Sequence, residues 1–198
     1  MYKHKIITIL FLLACSFLAS SFVAAANGPD KQTLAMIEAL KQVKKQNTAT
    51  YKNVDTYINY KLLTSESISP HRSKFSDKQV NKFTTLFEAL IRAVAYPQSS
   101  AFYEEAKTTY QPAEINGDVA VVISETTIEK EDFEMEIGYQ WTKTNGEWLL
   151  SDLLIDEDSL VKDYQNQFGR IIEKEGVDGL IKKVEVKLAE TEAENKKQ

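Results

Sequence analysis

Apolar residues recur every three or four positions from Lys31 to Val94 and every second position from Lys107 to Ile155, so the chain reads as helices followed by strands. Leu34, Ile37 and Leu40, with Val43, form the inward stripe of a helix starting at Lys31. Lys41, Lys44 and Lys45 lie near its C-terminal end, where cations suit the helix dipole. Tyr51 to Leu63 predicts a second helix with Val54, Tyr57, Ile58 and Leu62 inward, and the polar run Thr64 to Pro70 reads as a loop. Ser76 and Gln79 have the spacing of a capping box. Val80, Phe83, Leu86, Phe87, Leu90, Ile91 and Val94 then make a wide apolar stripe, expected to end before Pro97.

Strands are expected at Lys107–Ile115, Val119–Ile128, Phe133–Lys143 and Trp148–Ile155, the first broken or at an edge because of Pro112. Asn116-Gly117-Asp118 and Asn145-Gly146 supply hairpin turns. In the third strand Phe133, Met135, Ile137, Tyr139 and Trp141 alternate with Glu134, Glu136, Gly138, Gln140 and Thr142, so one face is buried and the other wet. Two helices follow, Ser159–Lys174 and Asp178–Leu188, the first with Leu160, Val161, Tyr164, Phe168, Ile171 and Ile172 on one face. Residues 189–198 are a charged tail expected to be disordered. The order helices, antiparallel meander, helices gives an α+β fold: a curved antiparallel sheet of about four strands with helices on one face, able to enclose an apolar cavity.

Charge and compartment narrow the function. Met1 to Lys5 is basic, Ile6 to Leu18 is largely apolar, and Ala24-Ala25-Ala26 offers a cleavage site, the layout of a secretory signal spanning residues 1–26. The alternative is a lipoprotein anchored through Cys15, since Leu12-Leu13-Ala14-Cys15 resembles a lipobox; the apolar run Phe17–Ala26 that would then open the mature chain argues against it. Cleavage removes Lys3 and Lys5 and no acid, so 24 basic residues become 22 against 29 acidic, a net charge of −7. That balance disfavours nucleic acid and broad adhesion to anionic membranes. Cys15 is the only cysteine, so a chain cleaved after Ala26 has neither a disulfide nor a thiol nucleophile. Residues 27–188 make one domain, with no internal repeat and with a monomer expected.

Enzyme readings find little support. His71 is the only histidine after residue 26 and sits in a polar segment, and no nucleophile-elbow, phosphate-loop, dinucleotide or zinc-protease motif occurs. Asp156-Glu157-Asp158 lies at a strand-to-helix junction, where capping by Asp158 or Ser159 explains it better than catalysis or calcium. Asp152, two turns of alternation from Trp148 and so expected on the same face, needs a hydrogen-bond partner. It serves either as a local backbone anchor or as a polar group at a pocket mouth. The stripe Phe133–Trp141 reads as core, with a pocket wall as the other possibility.

The order Trp148-x-x-x-Asp152, Ser159-Leu160-Val161, Tyr164 with Phe168, then Gly176-x-Asp178-x-Leu180-Ile181 resembles the MlaC, or toluene-tolerance, family of periplasmic phospholipid carriers. Phe83, Phe87, Leu90-Ile91 and Tyr96 match a second pattern of that family. Two positions depart from it: Gln165 stands where arginine is usual, and Glu157 where glycine is. The resemblance spans roughly Tyr51 to Leu188. It implies a non-enzymatic carrier that needs no cofactor beyond its bound phospholipid or related lipid (a hopanoid in one branch). Such a carrier shuttles between an outer-membrane lipoprotein–porin complex and an inner-membrane ABC transporter with an MCE-domain subunit, maintaining outer-membrane lipid asymmetry. It also implies that the lipid contacts come from Phe83, Phe87, Leu90, Ile91, Val121, Phe133, Met135, Ile137, Tyr139, Trp141, Leu160, Val161, Tyr164 and Phe168. Gln165 in place of arginine predicts weak discrimination between headgroups. A nuclear-transport-factor-like small-molecule-binding domain or enzyme has the same outline and stays open as the second reading.

Overall fold

Strands β3 (Val119–Ile128), β4 (Phe133–Thr144) and β5 (Glu147–Ile155) form the centre of an antiparallel sheet in the computed structural model, which describes residues 28–44, 48–129 and 133–196. The basic and apolar N-terminal segment, with Cys15 and the cleavage expected at Ala24–Ala26, lies outside the described residues. Pro112 breaks the first expected strand in two: β1 (Lys107–Tyr110) and β2 (Glu114–Asn116) each pair with a different stretch of β3. A short β6 (Asp158–Ser159) pairs with the end of β5, giving the order β1-β3-β4-β5-β6 with β2 also on β3.

The alternation seen in the sequence selects the faces. Ala120 lies opposite Trp141 and Val122 opposite Tyr139, and all four are buried on the inner face. Val121, opposite Gln140, therefore points to the outer face, a correction to its expected place among the lipid contacts. Phe133 has inner-face parity but sits at the sheet's end, 41% exposed. On β5 the register slips: Trp141 faces Leu150 while Gln140 faces Asp152, so Ser151 is an extra residue. At this bulge Trp148 and Leu150 stay with Trp141, but Asp152 falls in register with Gln140.

Helix α1 (Pro29–Lys41) lies on the inner face, held where the Trp141 indole N–H donates to Thr33 Oγ1 at 3.0 Å and that hydroxyl donates to the Pro29 carbonyl at 2.9 Å. The expected helix Tyr51–Leu63 is instead α2 (Tyr51–Asp55) and α3 (Tyr60–Ser67). Between them the backbone pairs with the free edge of β5: Asn59 N–H donates to the Leu150 carbonyl at 2.8 Å and Leu150 N–H to the Tyr57 carbonyl at 2.7 Å. Edge pairing satisfies more backbone groups than continuing the helix would. The run read as a loop is thus the second half of α3, followed by a 3-10 turn over Ser69–Lys74.

Helix α4 (Asp77–Glu105) opens with the capping box of Ser76 and Gln79 and runs through Pro97, where an end was expected. Helix α5 runs from Leu160 to Asn195, with Gly176 at φ 73° and ψ 179° interrupting it where two helices were expected. Its last turns replace the disordered tail: Thr191 is buried, and the Asn195 side chain donates to the Ala93 carbonyl at 2.9 Å. Gly169 gives α5 the room to lie against the turn before α4, since a Cβ there would stand 2.6 Å from His71 Nε2.

Two cores result. One joins the inner sheet face to α1, α2 and the second half of α4, around Met36, Ile37, Val54, Tyr96, Tyr139 and Trp141. The other is all-helical, around Phe75, Phe83, Phe87, Phe168, Ile172 and Leu180 from α4, α5 and the turn before α4. Ile91 packs against both.

Candidate functional site

A cavity of about 100 Å³ lies where the two cores meet. Met36 and Leu40 of α1, Val54, Ile58 and Leu63 of the α2–α3 region, Ile91 and Ala95 of α4, Leu150 and Leu153 of β5 and Leu160 of α5 make its apolar wall. Tyr96, Tyr103, Tyr139 and Tyr164 turn their rings to it, so the lining is largely hydrocarbon with phenolic groups at its margins.

Of the residues expected to contact lipid, Ile91, Tyr139, Leu160 and Tyr164 stand in this wall. Phe83, Phe87 and Phe168 instead interlock in the helical core, with ring centroids 5.3–5.4 Å apart; Val161 is buried in the same core and Leu90 packs against it. Tyr164 links the two regions: it stacks on Phe168 at 5.4 Å, meets Phe87 edge-on at 4.9 Å and faces the cavity. Ile137 and Trp141 belong to the sheet core, and Met135 packs against it. Met36 was missed because the stripe was drawn through Leu34, which is 49% exposed, whereas Leu40, Val54 and Ile58 were legible as helix stripes. Their period told only that they face inward, and only the packing of α1 and α2 over the sheet makes that direction a cavity wall. Tyr96 and Tyr103 lie on either side of Pro97, beyond which the helix was not expected to run.

The phenols are arranged in two pairs. Tyr103 and Tyr139 hydroxyls are 2.6 Å apart, and burial pushes both upward from the ordinary tyrosine pKa. Tyr60 and Tyr96 hydroxyls touch, and Tyr96 donates to Asp55 Oδ1 at 2.7 Å; burial again raises both phenols, so they remain protonated donors. Burial raises Tyr164 as well, with Asp163 adding to it.

Asp152 takes the local role and also borders the cavity. Its Oδ1 accepts from the amides of Leu153 at 2.8 Å and Val161 at 3.0 Å, and its Oδ2 accepts from the Ser159 hydroxyl at 2.5 Å. Ser159 Oγ in turn accepts from Lys162 N at 3.1 Å as the N-cap of α5. The motif from Trp148 through Ser159-Leu160-Val161 therefore fixes where α5 starts on the sheet, which sets Leu160 and Tyr164 against the cavity. Gln165 Nε2 donates to the Glu66 carbonyl at 2.8 Å and to Ser69 Oγ at 3.3 Å, tying α5 to α3. It lines an open groove of about 480 Å³ with Gln140, Thr142 and Lys162, which shares Asp152 with the apolar cavity. A side chain at position 165 thus does not face the apolar cavity.

Among the described residues, no three of histidine, cysteine, aspartate and glutamate are placed to hold a metal ion. No described helix is long and apolar enough to cross a membrane.

Comparison with solved structures finds the same fold in a phospholipid-binding protein from Ralstonia solanacearum, solved in complex with a phospholipid. The TM-score is 0.63 and the identity 19%, over 82% of this chain and 95% of that one. No curated protein sequence matches the chain. The family model for the MlaC protein matches residues 30–186, which covers every element from α1 to the C-terminal half of α5, and the chain belongs to the MlaC protein family.

Proposed function

We propose that this protein is a periplasmic phospholipid carrier, which holds acyl chains between the sheet and helices α4 and α5. The single observation that carries the reading is the apolar cavity at the seam of two separate cores. The family and the lipid-bound Ralstonia relative support it. A diacyl lipid with ~30 methylenes costs ~25 kcal/mol to expose to water at about 0.8 kcal/mol each. A carrier therefore needs a dry chamber matching the bilayer's affinity, and it needs no nucleophile, metal or nucleotide. Membership of the family supports a shuttle between an outer-membrane lipoprotein–porin complex and an inner-membrane ABC transporter with an MCE-domain subunit.

The size of the cavity adds a requirement. At about 100 Å³ it is far too small for two acyl chains. Loading therefore needs the helical core to part from the sheet core along their shared seam, where Ile91, Leu160 and Tyr164 stand. Keeping the aromatic cluster of Phe83, Phe87 and Phe168 intact lets that layer move as one body.

Native mass spectrometry of the purified mature protein tests the reading. One diacyl lipid per chain is expected, released by organic solvent. Protein that arrives lipid-free and also fails to take up fluorescent phosphatidylglycerol from vesicles would defeat it.

A further inference from the structure

Beside the cavity lies a polar cluster that acyl-chain burial does not use. Asp55 follows the cavity residue Val54 on α2, and Arg92 follows the cavity residue Ile91 on α4. Arg92 Nε at 2.8 Å and the Tyr96 hydroxyl at 2.7 Å donate to a single oxygen, Asp55 Oδ1, and the Tyr60 hydroxyl, 3.2 Å from the same oxygen, has one proton to give either to it or to the Tyr96 hydroxyl that it touches. The guanidinium also stacks over the Tyr60 ring, 4.5 Å from its centroid, which fixes its plane. The two phenols are buried, whereas the Asp55 and Arg92 side chains remain 27% and 29% exposed, open to a group arriving from solvent. Tyr96 belongs to both the cluster and the cavity wall.

A guanidinium and a phenol aimed at one point, with a second phenol in reach of it, make the donor set that a phosphate oxygen calls for. We propose that this cluster is an anion subsite for the phosphate of a bound lipid, and that Asp55 occupies it as an internal competitor, holding headgroup discrimination low. The proposal rests on the lipid-carrier reading above. Arg72 and Arg170 do not serve instead: Arg72 is committed to Asp77 and the Phe75 carbonyl away from the cavity, and Arg170 is exposed on α5 outside its wall. The charges set the sign of the effect. Asp55 and Glu88, whose Oε2 lies 3.5 Å from Arg92 Nη1, share one guanidinium, so a phosphodiester enters only when Asp55 turns out to solvent. Removing the Asp55 charge unmasks the subsite.

The test compares phosphatidic acid with diacylglycerol of identical chains, bound to the mature protein and its variants, with circular dichroism confirming the fold of each. Wild type should prefer the phosphate by less than about tenfold. Asp55→Asn, and independently Asp55→Ser, should raise the preference at least tenfold further, and adding Arg92→Gln should cancel the gain. An unchanged or reduced preference in the Asp55 variants overturns the proposal while leaving the carrier reading intact, because both lipids still bind. Binding of neither lipid to any form overturns both. Inorganic phosphate separates the two sources of the same chemistry. It should displace phosphatidic acid only weakly, since chain burial tethers the lipid phosphate at high effective concentration. Full displacement at millimolar phosphate would assign the cluster to the free ion and overturn the lipid-headgroup assignment.

Discussion

Asn195 repairs the hydrogen bond that Pro97 removes. Proline at 97 has no amide to offer the carbonyl of Ala93 four residues earlier, and Asn195 Nδ2 from the end of α5 donates to that carbonyl at 2.9 Å. The repair accounts for two departures from the sequence pattern at once. Helix α4 continues past a residue expected to end it, and the charged C-terminal segment is ordered onto α4. Asn195→Ala should cost about 1 kcal/mol, since it leaves a part-buried carbonyl without its partner. In a Pro97→Ala background the new amide serves Ala93, so the same Asn195→Ala change should cost almost nothing. Urea denaturation of the four proteins in that cycle gives the coupling directly; additive effects would mean that the contact is incidental.

The two-residue turn between β5 and β6 contains an outright conflict between sequence and backbone. Asp156 and Glu157 both have positive φ, 47° and 71°. A non-glycine residue held there stores roughly 1–3 kcal/mol of strain. Part of it is offset because Asp156 Oδ1 accepts from the Glu136 amide at 3.0 Å, while its own amide donates to the Glu136 carbonyl at 3.0 Å. Glu157→Gly should raise stability by about 1 kcal/mol, after the extra entropy that glycine has in the unfolded chain. A shift of the denaturation midpoint upward at constant slope is the expected reading. A downward shift would show that the Glu157 side chain stabilises by more than its backbone strains.

Alkaline pH should unfold the protein through its tyrosines. Tyr96, Tyr103 and Tyr139 are all raised from the ordinary value of 10.0, burial being the largest cause in each. The unfolded chain ionises at about pH 10 while the folded one keeps these protons. The stabilisation is therefore complete below pH 10 and lost as pH climbs above it, at up to about 1.4 kcal/mol per pH unit for each phenol. Absorbance at 295 nm should show these tyrosines titrating together with loss of structure rather than before it. Tyr103→Phe combined with Tyr139→Phe should flatten the dependence; an unaltered slope would place the sensitivity elsewhere.

What was legible in the sequence follows from how local the physics is. β3 and β4 could be read within a residue of their ends because strict alternation and a two-residue Asn145-Gly146 turn are local signals. The capping box at Ser76 is equally local. The failures were long-range. Nothing near Ser151 announces a bulge, yet it moves Asp152 into register with Gln140. Residues 57–59 leave a good helical pattern because β5, ninety residues away, offers an unpaired edge. The candidate site shows the same limit. Period placed Ile91, Tyr139, Leu160 and Tyr164 inward but could not separate them from Phe83 or Trp141, which are inward too and packed solid. Only the meeting of two cores distinguishes wall from filling.

That distinction yields a paired prediction on lipid content. Ile91 touches both cores and faces the cavity, whereas Val121 lies in the same sheet as the cavity residue Tyr139 but on its outer face. Ile91→Lys puts an ammonium into the apolar seam, at a cost of several kcal/mol to bury. It should strip the purified protein of lipid while circular dichroism remains normal. Val121→Lys adds the same charge to a strand position already half-exposed, with Gln140 opposite it, and should leave lipid content within twofold of wild type. Phosphorus assay of solvent extracts measures both. Equal loss in the two variants would mean that lipid content tracks general stability rather than the seam. Loss in Val121→Lys alone would move the binding surface to the outer face of the sheet.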